Sequence, residues 1–436
     1  MDEGGPAWKL LTERAERAGA LLGAHLQIAD RCNHVCVHCY QVQGEKAEMS
    51  FEQVCKVLDD LAAAGTLLLT VSGGEATLRP DLIEILAHAR SRNFAITLYT
   101  NGFLIDDTLA MKLAAVGLRE VQISVYSSLP AEHDAVTGVP GSYERTIGAA
   151  RRLRALGVPV MLKTVVMRDA DRAFEGVRDL AQRMGCRHRT TVSLSANETG
   201  DVGPIRLGVE PAELVRRGLL AAWSPDSEPR ENELNSAPCG VCSSQATILA
   251  NGEVRPCQLS AIPLGNAIDT PVGTIVSTRR EVTLLRGLRW NDVHGCRSCD
   301  LRGACSRCHA DAAAEGGDYL GPYASACETA IARYAGSVGA VRIMEPEPAQ
   351  SPASEAVVGP FRIVERGVLR PIADERTPAD DAVAAEFSWV RPGGRFYQSA
   401  VQALSGVGLV QLGRRRAEQA GAIGEREVSS VNSLGE

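Results

Sequence analysis

The chain is 436 residues long with a formal net charge of −7 at pH 7, so two or three structural units are expected. The acidic balance argues against a nucleic-acid partner, because phosphate recognition calls for a basic face. Met1–Gly23 is charged and lacks the apolar core of a signal peptide, and no apolar run approaches the ~20 residues of a membrane span. A cytoplasmic chain without a membrane partner is therefore expected. Thiols stay reduced there, so the thirteen cysteines point to metal ligation rather than disulfides.

From about residue 21 to 195, short β-type runs alternate with amphipathic helical stretches. The predicted strands are Ala24–Asp30, Leu67–Gly73, Ala95–Thr100, Glu120–Tyr126, Pro159–Val166 and Arg189–Ser195. Ser50 and Gln53 form a capping box before a helix with Val54, Val57, Leu58 and Leu61 on one face. Pro80 is placed in the first turn of the next helix, which buries Leu82, Ile85, Leu86 and Ala89. Two more carry Leu109, Leu113 and Val116 before Gly117, and Ile147, Ala150, Leu153 and Leu156 before Gly157. Six strand–helix units predict parallel strands with right-handed crossovers. The expected fold class is α/β, a partial (β/α)6 TIM-like barrel followed by a small cysteine-rich iron–sulfur domain.

Residues 196–238 read as a polar bridge with one helix, Pro211–Leu220. Between Cys239 and Cys327 periodic helices are expected to disappear. The segment after Arg342 opens on a Pro- and Ser-rich linker, with strand hints at Phe361–Glu365 and Glu386–Val390 and disorder after Gly413. The expected domains are an N-terminal extension (1–23), the barrel (24–225), the cysteine-rich domain (236–342) and a linker with a C-terminal segment of unassigned role (343–436).

The first expected strand runs into Cys32-x3-Cys36-x2-Cys39. Three thiolates on one loop can hold three irons of a 4Fe–4S cluster and leave the fourth open to a ligand, as catalytic metal sites do. Zinc is the alternative, with His34 or His38 as fourth ligand. Strand two ends in Gly73-Gly74-Glu75, two glycines that permit close backbone approach and a carboxylate suited to an ammonium. Strand three ends at Asn101 and strand four carries Ser124, each able to bond a ribose or carboxylate.

In order and spacing, Cys32/Cys36/Cys39 and Gly73-Gly74-Glu75 resemble the radical S-adenosylmethionine superfamily. The resemblance implies that the open iron chelates the amino and carboxylate groups of S-adenosylmethionine, and that one electron releases a 5′-deoxyadenosyl radical. It places Gly73, Gly74 and Glu75 on the methionine amino group, and Ser124 and Asn101 on the ribose or carboxylate. His38 stands where the family carries an aromatic residue, and imidazole can pack on adenine.

The second cysteine block runs Cys239-x2-Cys242, then Cys257 after an Asn251-Gly252 hairpin, then Cys296-x2-Cys299-x5-Cys305-x2-Cys308 and Cys327. Asn-Gly predicts a turn with positive φ at both central residues. Eight cysteines divide into two four-cysteine sites, zinc or iron–sulfur. The block resembles the SPASM extension of peptide-modifying radical enzymes. That resemblance implies one auxiliary cluster on Cys239, Cys242, Cys257 and Cys308 and another on Cys296, Cys299, Cys305 and Cys327. The first pair and the Cys305–Cys308 spacing are shorter than the family's. Cys55 and Cys186 read as core fillers.

The cofactors implied are three 4Fe–4S clusters, one binding S-adenosylmethionine and two auxiliary, together with S-adenosylmethionine. No protein side chain beyond the cluster is assigned a catalytic role. The expected function is hydrogen-atom abstraction from a ribosomally made precursor peptide, ending in a crosslink, oxidation or epimerised residue. Partners implied are that peptide, an electron donor such as flavodoxin or ferredoxin, and a separate leader-peptide-binding protein. A sulfatase-maturing activity is the alternative, disfavoured because Gln258 stands where those enzymes carry an Asp. A small-molecule dehydrogenase and a non-enzymatic zinc-ribbon scaffold are the others.

Overall fold

The computed structural model describes residues 6–42, 47–168, 173–226, 233–343, 360–372, 380 and 383. In chain order the barrel elements are α1 (Pro6–Ala18), β1 (Gly23–Ala29), α2 (Phe51–Ala63), β2 (Leu68–Gly73), α3 (Leu82–Ser91) and β3 (Ala95–Thr100). There follow α4 (Asp107–Val116), β4 (Glu120–Ser124), α5 (Pro130–Thr137), α6 (Ser142–Ala155), β5 (Val160–Val165), α7 (Ala173–Arg183) and β6 (Arg187–Thr191). Then come α8 (Pro211–Arg216), β7 (Gln245–Ile248), β8 (Glu253–Arg255), β9 (Gly265–Asn266), α9 (Val272–Thr278) and α10 (Arg280–Gly287). The last are α11 (His309–Gly316), α12 (Ala324–Val338), β10 (Arg342–Ile343), β11 (Phe361–Glu365) and β12 (Val368–Pro371).

The chain divides into two compact units, Met1–Val209 with Gly240–Gly287, and Glu210–Cys239 with Leu288–Glu436. In the first unit the expected six parallel strands form the order β6-β5-β4-β3-β2-β1, and the sheet continues through β7, β8 and β9. β7 joins β1 in parallel, Gly23 opposite Gln245. Alternation along each strand divides the sheet into two unlike faces. Leu26, Ile28, Leu69, Val71, Ile96, Leu98, Val121, Ile123 and Leu162 are at most 1% exposed, on the face covered by helices. The register places His25, Thr70 and Thr97, and then Tyr99, Gln122, Ser124 and Lys163, on the other face. That inner face is polar, unlike a parallel sheet buried on both sides.

Local chemistry explains the helices. The Ser50–Gln53 capping box forms as expected, and Val54, Val57, Leu58 and Leu61 are fully buried. The α4 start is capped by Asp106, and Gly117 closes it in the left-handed region at φ 75°. Pro80 precedes the α3 N-cap Asp81 rather than lying in the first turn, because Arg79 and Asp81 form a paired bracket at the entry. In α6 Leu156 is 43% exposed, and Ala149 takes the core position expected of it. Val116 and Leu109 are likewise not core residues of α4, which buries Ala110 and Leu113.

Three expectations are corrected. Helices do not vanish after Cys239: α9, α10, α11 and α12 occupy that region, short or Ala-rich and so weak in periodicity. The Asn251-Gly252 turn holds positive φ only at Gly252, because Asn251 instead accepts a bond from the Glu253 amide. The Pro211 helix stops at Arg216, where Gly218 takes a positive φ. Strand hint Phe361–Glu365 is β11, whereas Glu386–Val390 and the stretch after Gly413 lie outside the described residues.

In the second unit, Leu301, Ala304, Ala330, Ile331, Tyr334, Val341, Phe361 and Leu369 form a core with Cys299, Cys305 and Cys327 packed against it. A three-stranded sheet, β10-β12-β11, closes it.

Candidate metal and cofactor site

The three-cysteine loop leaves the C-terminal end of β1, and its backbone is tied to the C-terminal end of α5: the Val35 and Val37 amides donate to the Thr137 and Val136 carbonyls, at 2.9 and 3.1 Å. The Cys39 amide donates to the Cys36 carbonyl at 3.1 Å, which curls the loop back on itself. Cys32, Cys36 and Cys39 lie within one another's electrostatic field, as a shared cluster requires. Burial first, then the neighbouring thiols, pushes the Cys36 thiol up to about 12; burial chiefly lifts Cys32 to about 11. Three half-buried sulfur donors on one loop fit an iron–sulfur cluster, which binds them as thiolates.

Gly73 and Gly74 are required for a close approach. A Cβ at Gly73 would stand 2.4 Å from the Ala29 carbonyl oxygen, and one at Gly74 2.4 Å from that of Arg31. The Gly74 and Glu75 amides donate to those same two carbonyls, both at 2.8 Å. The motif thus grips the root of the cysteine loop. Arg79 adds to this grip, donating to the Ile28 and Met49 carbonyls at 3.0 and 2.8 Å.

Glu75 is 1% exposed and engaged within the protein. Its carboxylate accepts from the Thr77 amide (3.0 Å), the Thr77 and Thr100 hydroxyls (both 2.6 Å) and the Asn101 amide (2.7 Å). Three of these donors converge on Oε1 and one on Oε2, so the side chain bridges the ends of β2 and β3. Asn101 donates to Asn33 at 2.7 Å and accepts from the Phe103 amide at 2.9 Å, fastening β3 to the cysteine loop. Ser124 is half-buried at the end of β4 and bonds the Tyr126 phenol. His38 packs edge-on against Tyr126, ring centroids 4.7 Å apart, and burial lowers its pKa to about 4. All these expected residues therefore lie in the first unit, joined by direct contacts around one loop.

Sequence reading missed several residues of the inner face. The Lys163 ammonium stands over the Tyr99 ring, 4.0 Å from its centroid. His25 bonds the Ser72 hydroxyl, and Tyr40, on the cysteine loop, is half-buried beside Cys39 and Glu198. The signal was present: alternate residues of β1–β5 are polar although the strands are parallel.

In the second unit Cys296, Cys299, Cys305 and Cys327 share one electrostatic field. Burial, then Cys296, pushes Cys305 up to about 12. The Phe361 amide, on β11, donates to the Cys299 sulfur at 3.3 Å, and Asp300 exchanges bonds of 2.8 Å with Phe361 and Ile363. Among the described residues no three His, Cys, Asp or Glu side chains converge on a single-ion site. Of the other block cysteines, Cys242 and Cys257 belong to the first unit, and Cys239 and Cys308 to the second. The β7–β8 pairing, Thr247 opposite Arg255, returns Cys257 to the level of Gln245, near Cys242 in register. Among the described residues no helix is long and apolar enough to cross a membrane.

Residues 26–181 match the family model of the radical SAM superfamily, and residues 239–300 that of an iron–sulfur cluster-binding domain, SPASM. The PqqA peptide cyclase of Streptomyces rochei is 29% identical over 354 residues, 72% of this chain and 93% of that protein. The AdoMet-dependent heme synthase of Methanosarcina barkeri is 25% identical over 326 residues, 66% of this chain and 91% of that protein. Streptococcus suis SuiB, solved bound to its precursor peptide SuiA, shares the fold at a TM-score of 0.55 and 16% identity, covering 70% of this chain and 78% of that one. With its cysteine loop, its Gly-Gly-Glu grip and its second cysteine block, the chain belongs to the radical S-adenosylmethionine superfamily and carries a SPASM iron–sulfur extension.

Proposed function

We propose that the chain abstracts a hydrogen atom from a ribosomally made precursor peptide and so installs a crosslink, an oxidation or an epimerised centre. Cys32, Cys36 and Cys39 hold the cluster that binds S-adenosylmethionine. When bound, cluster and cosubstrate supply a 5′-deoxyadenosyl radical. The chain's own residues orient that cosubstrate. The Gly73-Gly74-Glu75 turn meets the methionine amino group, through its backbone and through Glu75 Oε2, which has one protein donor where Oε1 has three. Ser124 and Asn101 take the ribose or carboxylate, and His38, held on Tyr126, faces the adenine. Cys296, Cys299, Cys305 and Cys327 bind one auxiliary cluster. Cys239, Cys242, Cys257 and Cys308 bind the other, for three in all. A flavodoxin or ferredoxin supplies electrons, and a separate protein delivers the peptide leader.

The observation that carries the peptide reading is the similarity to PqqA peptide cyclases, reaching 28% identity over 77% of this chain and 93% of the Xanthomonas campestris protein. A second reading, a tetrapyrrole substrate, is favoured by the similarity to the heme synthase. Co-expression with a short peptide encoded beside the gene decides between them. A mass change in the peptide, dependent on Cys32, is expected. An unchanged peptide with conversion of an added iron-coproporphyrin would establish the second reading.

A further inference from the structure

The charges of the inner face do not balance. Glu120 is paired with Arg187, the nearest approach of Arg255 to Glu198 is 3.9 Å, and Glu75 has its four donors. Those carboxylates are already answered. Lys163 is not. It projects from β5 beside Ser124 in the register, half-buried, and rests on the Tyr99 ring at 4.0 Å. Among the described residues its ammonium has no hydrogen bond and no ion pair, and the charge that acts on it is that of Arg189, its register partner on β6. Burial and Arg189 together lower its pKa to about 8.

A desolvated ammonium beside a second cation is unfavourable unless an anion joins it. The aromatic ring offsets part of that cost and fixes where the ammonium stands, but supplies no hydrogen-bond acceptor of a carboxylate's strength. His25 also borders this patch and is held neutral, burial and Lys163 lowering its pKa to about 4, so it adds no charge there, and its Nε2 is taken up by the Ser72 hydroxyl. The two cations are carried by β5 and β6, and the Lys163 ammonium reaches back across the inner face to Tyr99 on β3 and into the field of His25 on β1.

We propose that Lys163, with Arg189 beside it, forms a carboxylate-binding site that receives an acidic side chain of the substrate. For the source of that carboxylate the inference rests on the peptide reading above. S-adenosylmethionine also carries a carboxylate, and the test separates the two.

Two ligand pairs are compared on the reconstituted enzyme, wild type and Lys163→Met, with Lys163→Arg as the conservative control and iron content as the check on folding. One pair is S-adenosylmethionine and its decarboxylated analogue. The other is a blocked Ala-Glu-Ala-Tyr-Ala peptide and its Glu→Gln twin, titrated with S-adenosylhomocysteine present. Wild type is expected to prefer the Glu peptide about ten- to a hundredfold. Lys163→Met loses that preference and Lys163→Arg keeps most of it. Loss of preference in the S-adenosylmethionine pair alone would overturn the substrate assignment and make the site one for the cosubstrate. Equal preferences in wild type and Lys163→Met for both pairs would overturn the site itself. Failure of the peptide reading shows elsewhere, as an absent mass change in the encoded peptide, and leaves these binding ratios readable.

Discussion

The two cysteine sites that the structure assembles are held in opposite ways. In the Cys32–Cys39 loop Cys36 alone of the three thiols packs against a small cluster, Tyr126, Val136 and Met167; Val35 and Val37 are 74% and 54% exposed, and backbone bonds from the Gly-Gly-Glu turn and the end of α5 fix the loop. Cys299, Cys305 and Cys327 instead pack against a hydrophobic core, with β11 donating to the Cys299 sulfur. The proposed ligation, three cysteines on the first site and four on the second, would give the same difference in coordination. Under that proposal the backbone-held loop serves the cluster that meets a ligand, and the core-packed thiols the cluster filled by its own cysteines.

The comparison breaks most severely in the second unit. Replacing Cys305 and Cys327 together by Ser removes two ligands and puts hydroxyls against an apolar core. Loss of about four irons and a large drop in thermal midpoint are expected, read by iron analysis and calorimetry. A variant that keeps its full iron content would show that these thiols are not ligands.

The grip on the first loop is tested by Glu75→Ala. Four donors lose their acceptor in a buried place, at about 1–3 kcal/mol for each group left unsatisfied. Urea unfolding should show a loss of several kcal/mol, and S-adenosylmethionine binding should weaken as the loop loosens. Unchanged stability would mean that the carboxylate is not the bridge described.

A smaller effect concerns pH. His133, fully buried and accepting from the Tyr126 amide, has its pKa lowered by burial from 6.5 to about 4. It takes up a proton only on unfolding in that window, so its contribution is complete above pH 6.5 and is lost as pH falls toward 4. The full size is on the order of 3 kcal/mol, of which about 2 is lost by pH 5. His133→Gln should flatten the decline between pH 7 and pH 5, measured as the urea midpoint. A slope equal to wild type would remove His133 from the explanation.

Much of this was legible in the sequence. Strand β3 and the core of α3 are where periodicity put them, because alternation and helical spacing there have no competitor. β6 is offset from its expected place, since an edge strand reading Arg-His-Arg-Thr-Thr has no apolar pattern to follow. The role of Glu75 was not legible. A Gly-Gly-Glu turn suggests a free carboxylate, and only the fold brings Thr100 and Asn101 to it. Neither was the part of Phe361, far along the chain from the cysteine it bonds. Lys163 could have been noticed, as a lysine in a β-branched run whose parallel neighbours would otherwise be apolar.

The central claim is that the hydrogen-bonded loop, and not the embedded thiols, starts the chemistry. It is tested by changing Cys32, Cys36 and Cys39 together to Ala, reconstituting anaerobically, and measuring 5′-deoxyadenosine and iron together. The expected result is no reductive cleavage of S-adenosylmethionine, with about eight irons retained. Continued 5′-deoxyadenosine formation by that variant would contradict it.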